Sequence, residues 1–127
     1  MAKIMLDASA VLAYLNSEPG ADVVAARVPD GIISTVNLAE VVTYAIRTGE
    51  TLESTRAKIG GLGLATVDYT VELAVQTGAL IAATKQFGLS LGDRACLATA
   101  AREGVPVLTA ERSWSNLSLG IAIQLIR

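Results

Sequence analysis

The regular alternation of short apolar runs with helical segments is the feature that most constrains the fold of this chain. Five runs rich in Ile, Val and Leu are typical of buried strands: "IML" at 4–6, "GIIS" at 31–34, "LATV" at 64–67, "PVLT" at 106–109 and "IAIQLI" at 121–126. Strands of this kind, separated by helices, indicate βαβ units and a parallel sheet that is covered on both faces. We therefore predict a three-layer α/β/α fold with a mainly parallel central sheet, in one domain spanning residues 1–127.

Capping residues and glycines place the helices between these strands. Ser34 or Thr35 is expected to cap a helix that Gly49 ends, and Gly104 is expected to close another that begins near Ser90. A single long helix is predicted from about residue 70 to Phe87. The other predicted helices cover residues 8–15, 20–28 and 50–63.

The composition excludes several classes of site. The chain has no histidine, which excludes Ser-His-Asp triads, Cys-His pairs and His-based zinc sites. Its one cysteine, Cys96, allows no internal disulfide and is interpreted as inert core. The net charge of -2 provides no overall attraction to nucleic acid, so a polyanionic partner needs a local basic patch or a bound cation.

The chain also lacks the apolar run of about 18 residues that a membrane span requires, and it lacks the features of a signal peptide. We therefore expect a cytoplasmic protein with no membrane association.

Four acidic residues stand in largely apolar surroundings: Asp7, Glu40, Asp93 and Glu111. Asp7 and Glu111 lie just beyond the carboxyl ends of predicted parallel strands, the edge at which open α/β sheets build binding sites. Two carboxylates about 4 Å apart repel each other by roughly 4 kcal/mol at an effective dielectric of 20. A cluster of such acids therefore requires protons or cations, and an all-oxygen donor set favours Mg²⁺ or Mn²⁺.

Each acid also has a simpler explanation. Asp93 and Glu111 are suitable as acids in the first turn of a helix, where the helix dipole favours negative charge. Glu40 is compatible with an exposed helix position or an ion pair with Arg47. Asp7 is the hardest to explain in this way, because Ser9 is available to cap the first helix.

Four segments in order resemble the PIN-domain ribonucleases, and in particular the VapC toxins of type II toxin–antitoxin pairs. They are "DASAVLAYLNSEPG", "STVNLAEV", "GLSLGDRACLATA" and "VLTAERSW", and each contains one of the four acids. The resemblance extends from the first strand to the end of the chain, with little signal from about residue 48 to residue 67. It implies a Mg²⁺-dependent endoribonuclease that forms homodimers and is inhibited by a cognate antitoxin protein.

The resemblance also implies roles for individual residues. Asp7, Glu40 and Asp93 match the metal-binding acids of the family, and Glu111 stands where the family more often has the Asp of "TAD". Ser9 and Thr109 match hydroxyl residues near the metal and are expected to support it. Arg94 and Arg112 directly follow two of the acids, and we consider them as contacts for RNA phosphates.

Two other functions stay open at this point. A phosphoacceptor receiver domain is of similar size and also has an acid after its first strand, and Asp68 is a possible acceptor. That reading lacks a second acid beside Asp7 and a lysine in the last strands, since Lys85 is the last lysine. A PIN-like domain that binds RNA or a partner without cutting is the other alternative, and Glu111 in place of Asp is the residue that favours it.

Overall fold

The structure is a computed structural model that describes residues 2–127. Its five strands are β1 (Ile4–Leu6), β2 (Gly31–Ser34), β3 (Ala65–Val67), β4 (Val107–Thr109) and β5 (Ile123–Leu125). Its α-helices are α1 (Ala8–Leu15), α2 (Ala21–Arg27), α3 (Thr35–Arg47), α4 (Leu52–Leu62), α5 (Val71–Ala79), α6 (Ile81–Thr84) and α7 (Leu91–Glu103). Short 3-10 turns cover Val28–Asp30, Lys85–Phe87 and Arg112–Asn116.

The five strands form one parallel sheet in the order β3-β2-β1-β4-β5. The chain builds the sheet outward from β1 through β2 to β3, and then crosses to the other side of β1 to add β4 and β5. Because the strand order reverses there, the crevice between β1 and β4 is the topological switch point, where such sheets bind ligands. The predicted three-layer α/β/α fold with a parallel sheet is confirmed.

Side chains of the sheet alternate between two apolar cores, one on each face. Ile4 and Leu6 of β1 pack with α1, α2 and α3 on one face. Met5, between them, packs with α7 and Trp114 on the opposite face. The three central strands β1, β2 and β4 are therefore buried along their whole length, whereas the edge strands β3 and β5 are partly exposed.

The predicted long helix over residues 70–87 is wrong. The helix stops at Ala79, a second short helix follows, and a 3-10 turn completes the segment. The carbonyl of Thr77 accepts a hydrogen bond from Arg94 Nη1 of α7, at 3.1 Å. This tertiary contact accompanies the break and has no signal in the local sequence.

Among residues 2–127, no helix combines the length and apolar composition needed to cross a bilayer.

Candidate functional site

Asp7 lies at the switch point of the sheet. It is the first residue after β1, and its backbone N–H donates to the carbonyl of Leu108 in β4 at 3.3 Å. The register pairs Leu6 with Leu108, so Thr109, the last residue of β4, lies beside Asp7. Only 4% of Asp7 is exposed. The structure therefore confirms that Asp7 and the end of β4 meet at the carboxyl edge of the sheet.

Three donors hold the Asp7 carboxylate. Oδ1 accepts from the Ser9 hydroxyl at 2.7 Å and from the Ala10 backbone N–H at 2.9 Å, while Oδ2 accepts from the Thr109 hydroxyl at 2.6 Å. Both hydroxyls therefore use their single proton on Asp7, and each accepts from a backbone N–H that follows β4, of Ala110 and Glu111 respectively. The two hydroxyls therefore lie beside Asp7 and fix its orientation, while their support of a metal stays a prediction.

Burial dominates the acidity of Asp7. Desolvation raises the pKa of its carboxyl from 3.8 to about 6, against the opposing effect of the hydrogen bonds from Thr109, Ser9 and Ala10. The negative charge of Glu111 also raises this pKa, as the smallest of these effects. The metal-free site is thus unfavourable for a charge on Asp7, and a cation would remove this penalty.

The expectation that Ser9 caps the first helix is wrong. Asp7 itself is the N-cap of α1, through the hydrogen bond from Ala10, and Ser9 lies inside the first turn. Capping explains why an oxygen acceptor stands at position 7, but neutral Ser, Thr and Asn cap helices equally well. The buried negative charge therefore needs a reason beyond capping.

Glu40 extends from α3 towards the start of α7. Its Oε1 accepts from Asn37 Nδ2 at 2.7 Å, and the same nitrogen donates to the carbonyl of Gly92 at 3.0 Å. Glu40 is half-buried, and its carboxylate lies against the α-carbon of Gly92. The residue is therefore directed into the contact between α3 and α7, and it forms no ion pair with Arg47 within residues 2–127.

Asp93 stabilises the first turn of α7, as the simpler explanation of this acid proposed. It forms a capping box with Ser90, in which Asp93 Oδ2 accepts from the Ser90 N–H at 3.0 Å and the Asp93 N–H donates to Ser90 Oγ at 3.1 Å. The capping bond uses Oδ2, which leaves Oδ1 for another partner. Asp93 directly follows Gly92, the residue that the Glu40 carboxylate contacts, so both acids lie at the first turn of α7.

The charges of three of the four acids act on one buried side chain. Burial raises the pKa of the Cys96 thiol well above its usual range, and the charges of Asp7, Asp93 and Glu40 raise it further. Asp7 after β1, Glu40 in α3 and Asp93 in α7 therefore influence the same thiol although they belong to different elements. Cys96 itself is part of the core, as predicted, and its thiol is fully buried.

The residues fit a hard divalent cation, although no three acidic or sulfur side chains between residues 2 and 127 stand close enough to hold an ion as a finished cage. Mg²⁺ does not require such a cage, because it retains several water ligands and binds proteins through one or two carboxylates. The donors are all oxygen, and the desolvated Asp7 gains most from a nearby positive charge.

The remaining predicted residues are more exposed than Asp7. Glu111 is exposed, and its side chain forms no capping hydrogen bond to the 3-10 turn that follows it. Arg112 is exposed beside it. Arg94 is half-buried and attached to α5 through the carbonyl of Thr77, so part of its guanidinium is already engaged. An RNA contact by either arginine stays a prediction.

Sequence reasoning missed Asn37 and Gly92. The available signal was spacing: Asn37 lies three residues before Glu40, one helical turn away, and is a polar residue in a largely apolar helix. The contact with Gly92 has no such signal, because 55 residues separate it from Asn37.

The receiver-domain reading is wrong. Asp68, its proposed acceptor, follows β3, which is the edge strand and pairs only with β2. β2 therefore separates it from Asp7, whereas receiver-type sheets have the order 2-1-3-4-5 and place the first and third strands side by side.

The chain belongs to the PIN domain family, whose model matches residues 4–118. Solved structures share the fold. A DNA-bound VapBC from Salmonella typhimurium has a TM-score of 0.75 and 24% identity, over 100% of both chains. VapBC2 from Rickettsia felis, bound to a promoter DNA fragment, has a TM-score of 0.75 and 18% identity, over 96% of this chain and 97% of that one.

A third similar structure is VapC20 from Mycobacterium tuberculosis, described as a toxin that cleaves the sarcin–ricin loop. It has a TM-score of 0.64 and 16% identity, over 91% of this chain and 97% of that chain. A search of curated proteins found no match to the chain.

The raised pKa of Asp7 predicts an unusual dependence of stability on pH in chelator. Because the folded-state pKa of about 6 exceeds the usual 3.8, the folded protein binds the proton more tightly, so stability falls as pH rises from about 4 to about 6. At about 1.4 kcal/mol per pKa unit, the loss is roughly 3 kcal/mol. Asp7→Asn should lack this loss, as measured by urea unfolding of both proteins between pH 4 and 7. Parallel profiles for the two proteins would contradict the assignment.

Proposed function

We propose that this protein is a Mg²⁺-dependent endoribonuclease of the VapC type, the toxin of a toxin–antitoxin pair. One observation carries the proposal: Asp7, an acid with only 4% of its surface exposed, lies at the switch point of a PIN-family sheet with a second acid beside it. Such a residue is costly for stability unless a cation or a proton neutralises it.

In this proposal each part of the site has a defined task. Asp7 and Asp93, with Glu40 and Glu111, hold one or two Mg²⁺ ions, and Mn²⁺ is an acceptable substitute. When bound, such an ion would supply an activated water molecule and would neutralise charge on the phosphate. Ser9 and Thr109 keep both oxygens of Asp7 in place by donating to them. Glu111, on the exposed side, is suited to accept a hydrogen bond from water at the phosphate.

A bound cation also resolves the conflict between an acidic site and an RNA substrate. The chain has a net charge of -2, and four acids at the site would repel a phosphodiester. Divalent ions reverse the local charge, and the exposed Arg112 offers a further phosphate contact.

The proposed partners follow from the names of the similar structures and from the surface. The Salmonella and Rickettsia structures are VapBC complexes, and a Klebsiella pneumoniae structure is a toxin–antitoxin complex. We therefore propose a cognate antitoxin for this chain. A homodimer in the cytoplasm is also proposed, and the exposure of Val71 (83%) and Val75 (60%) on one side of α5 supports a protein contact there.

Cleavage should depend on the ion. We expect purified protein to cut RNA with Mg²⁺ or Mn²⁺ and to lose this activity in EDTA. Metal at about 100 times its dissociation constant should add roughly 2.7 kcal/mol to the free energy of unfolding. Cleavage assays and thermal melts with and without EDTA test both statements. Undiminished cleavage in EDTA would exclude the proposal, and metal binding without cleavage would favour the non-catalytic PIN-like alternative.

Charge at the two aspartates should be essential for cleavage. Asp7→Asn and Asp93→Asn retain a capping oxygen, so both variants should fold, but each loses a charge that binds metal. We expect little or no cleavage by either variant at limiting Mg²⁺. Asp22→Asn, at an exposed acid in the first turn of α2, is the matched control and should cleave normally. Wild-type rates in either test variant would refute its role as a ligand.

Two variants of Glu111 distinguish the effect of its charge from the effect of its side-chain length. Glu111→Asp should keep substantial activity if the carboxylate acts through water, whereas Glu111→Gln should lose roughly 10- to 100-fold, the usual cost of an outer-shell change. Glu53→Gln, at an exposed acid in the first turn of α4, controls for a general loss of surface charge. Cleavage rates and melting temperatures of the three variants show whether the charge of Glu111 contributes to catalysis. A fully active Glu111→Gln protein would leave a site of three carboxylates.

A further inference from the structure

The Glu40 carboxylate occupies the space that a side chain at position 92 would fill. A β-carbon built on Gly92 would lie 2.2 Å from Glu40 Oε2 and 2.4 Å from Glu40 Cδ, far inside contact distance. Gly92 is within α7, where glycine is otherwise an unfavourable residue. The glycine is therefore required by the close approach of Glu40 and not by the helix.

Asn37 fixes the same carboxylate from the other side. It is 1% exposed, and its Nδ2 donates to both Glu40 Oε1 and the carbonyl of Gly92. Its orientation is unambiguous, because the reversed amide would direct an oxygen at these two acceptors. Asn37 thus connects α3 to the first turn of α7 and holds Glu40 against Gly92.

The remaining atom of this amide lacks a partner. Asn37 Oδ1 is buried and accepts no hydrogen bond within the described part of the chain. Buried acceptors in native proteins are almost always satisfied by protein groups or by ordered water, so this oxygen indicates a missing donor. It is separated by a single carbon from the nitrogen that contacts Glu40, and the missing donor therefore lies close to the proposed metal site.

We propose that Asn37 and Gly92 are positioning residues that together form a seat for Glu40, and that Asn37 Oδ1 accepts a hydrogen bond from a water molecule of the hydrated cation. We call these two residues the Glu40 seat. The part that concerns the cation rests on the proposed function, whereas the seat itself does not. A cation that keeps its water ligands directs their hydrogens outward, and those hydrogens need acceptors such as Oδ1.

The seat can be tested without any metal. Gly92→Ala should raise the melting temperature more in a Glu40→Ala background than in the wild type, because only the wild type contains the carboxylate that the new methyl group displaces. Gly61→Ala is the matched control: Gly61 also lies in a helix, but a β-carbon added there would meet nothing within 4 Å. It should give the same shift in both backgrounds. Equal shifts for Gly92→Ala in the two backgrounds would overturn the seat.

The contribution of the Glu40 seat to metal affinity is measured as the dissociation constant for Mn²⁺. The concentration of free ion is read from its electron paramagnetic resonance signal. Gly92→Ala should fold normally and raise the Mn²⁺ dissociation constant by roughly 10- to 100-fold, while Gly61→Ala leaves it unchanged. Adding Asn37→Leu to Gly92→Ala should raise the constant again, because Glu40 is already displaced and the change then removes the Oδ1 contact together with the bond from Nδ2 to the carbonyl of residue 92. The melting temperature of the metal-free double variant measures the loss of that second bond separately. If Gly92→Ala binds Mn²⁺ with wild-type affinity, the seat does not contribute to metal binding. If the double variant binds as well as Gly92→Ala alone, Asn37 Oδ1 has no contact with a water molecule of the cation.

The two proposals fail in different ways. A wild-type protein that binds no Mn²⁺ refutes the proposed function and the water contact of Asn37, while the metal-free melting comparison still decides whether Glu40 is seated by Asn37 and Gly92.

Discussion

The burial of the Asp7 carboxylate between β1 and β4 is the constraint on which the rest of the site depends. Its hydrogen bonds use the hydroxyls of Ser9 and Thr109 and a free N–H group in the first turn of α1. The same residue therefore ends β1, starts α1 and joins the two strands at the switch point. Desolvation opposes its charge, so this arrangement is most stable when a proton or a cation is present.

The site is assembled from two pairs of acids that are held by different parts of the fold. Asp7 and Glu111 follow β1 and β4, so the parallel pairing of these strands determines their separation. Glu40 and Asp93 are held where α3 packs on the start of α7, through Asn37 and Gly92. Packing of α7 onto the sheet brings the start of α7 towards the edge at which Asp7 lies, so that Asp7, Asp93 and Glu40 all influence the Cys96 thiol. A change in the position of α7 would therefore alter the site without altering any acid.

Much of the fold could be predicted because local patterns were strong. The apolar runs correspond to the five strands, and Ser34 and Ser90 cap the helices that they were expected to cap. Two local expectations were wrong where a distant residue intervened. Arg94 contacts the carbonyl of Thr77 at the point where the predicted long helix breaks. Asp7, and not Ser9, is the N-cap of α1. The Ser9 hydroxyl donates to Asp7 and accepts from the backbone N–H of Ala110, so it is not available to cap the helix.

The sequence by itself determined the layered α/β/α architecture and the chemistry that the site can use: it contains no histidine, and its four isolated acids are all oxygen donors. The spacing of hydrophobic residues and the residue types are local properties of the sequence, so these conclusions do not depend on the tertiary structure. Only the tertiary structure decided the strand order, which separates Asp68 from Asp7, and the contact of Glu40 with Gly92. Both depend on the packing of segments far apart in the chain, whose relative positions are set by the whole core and not by any one segment.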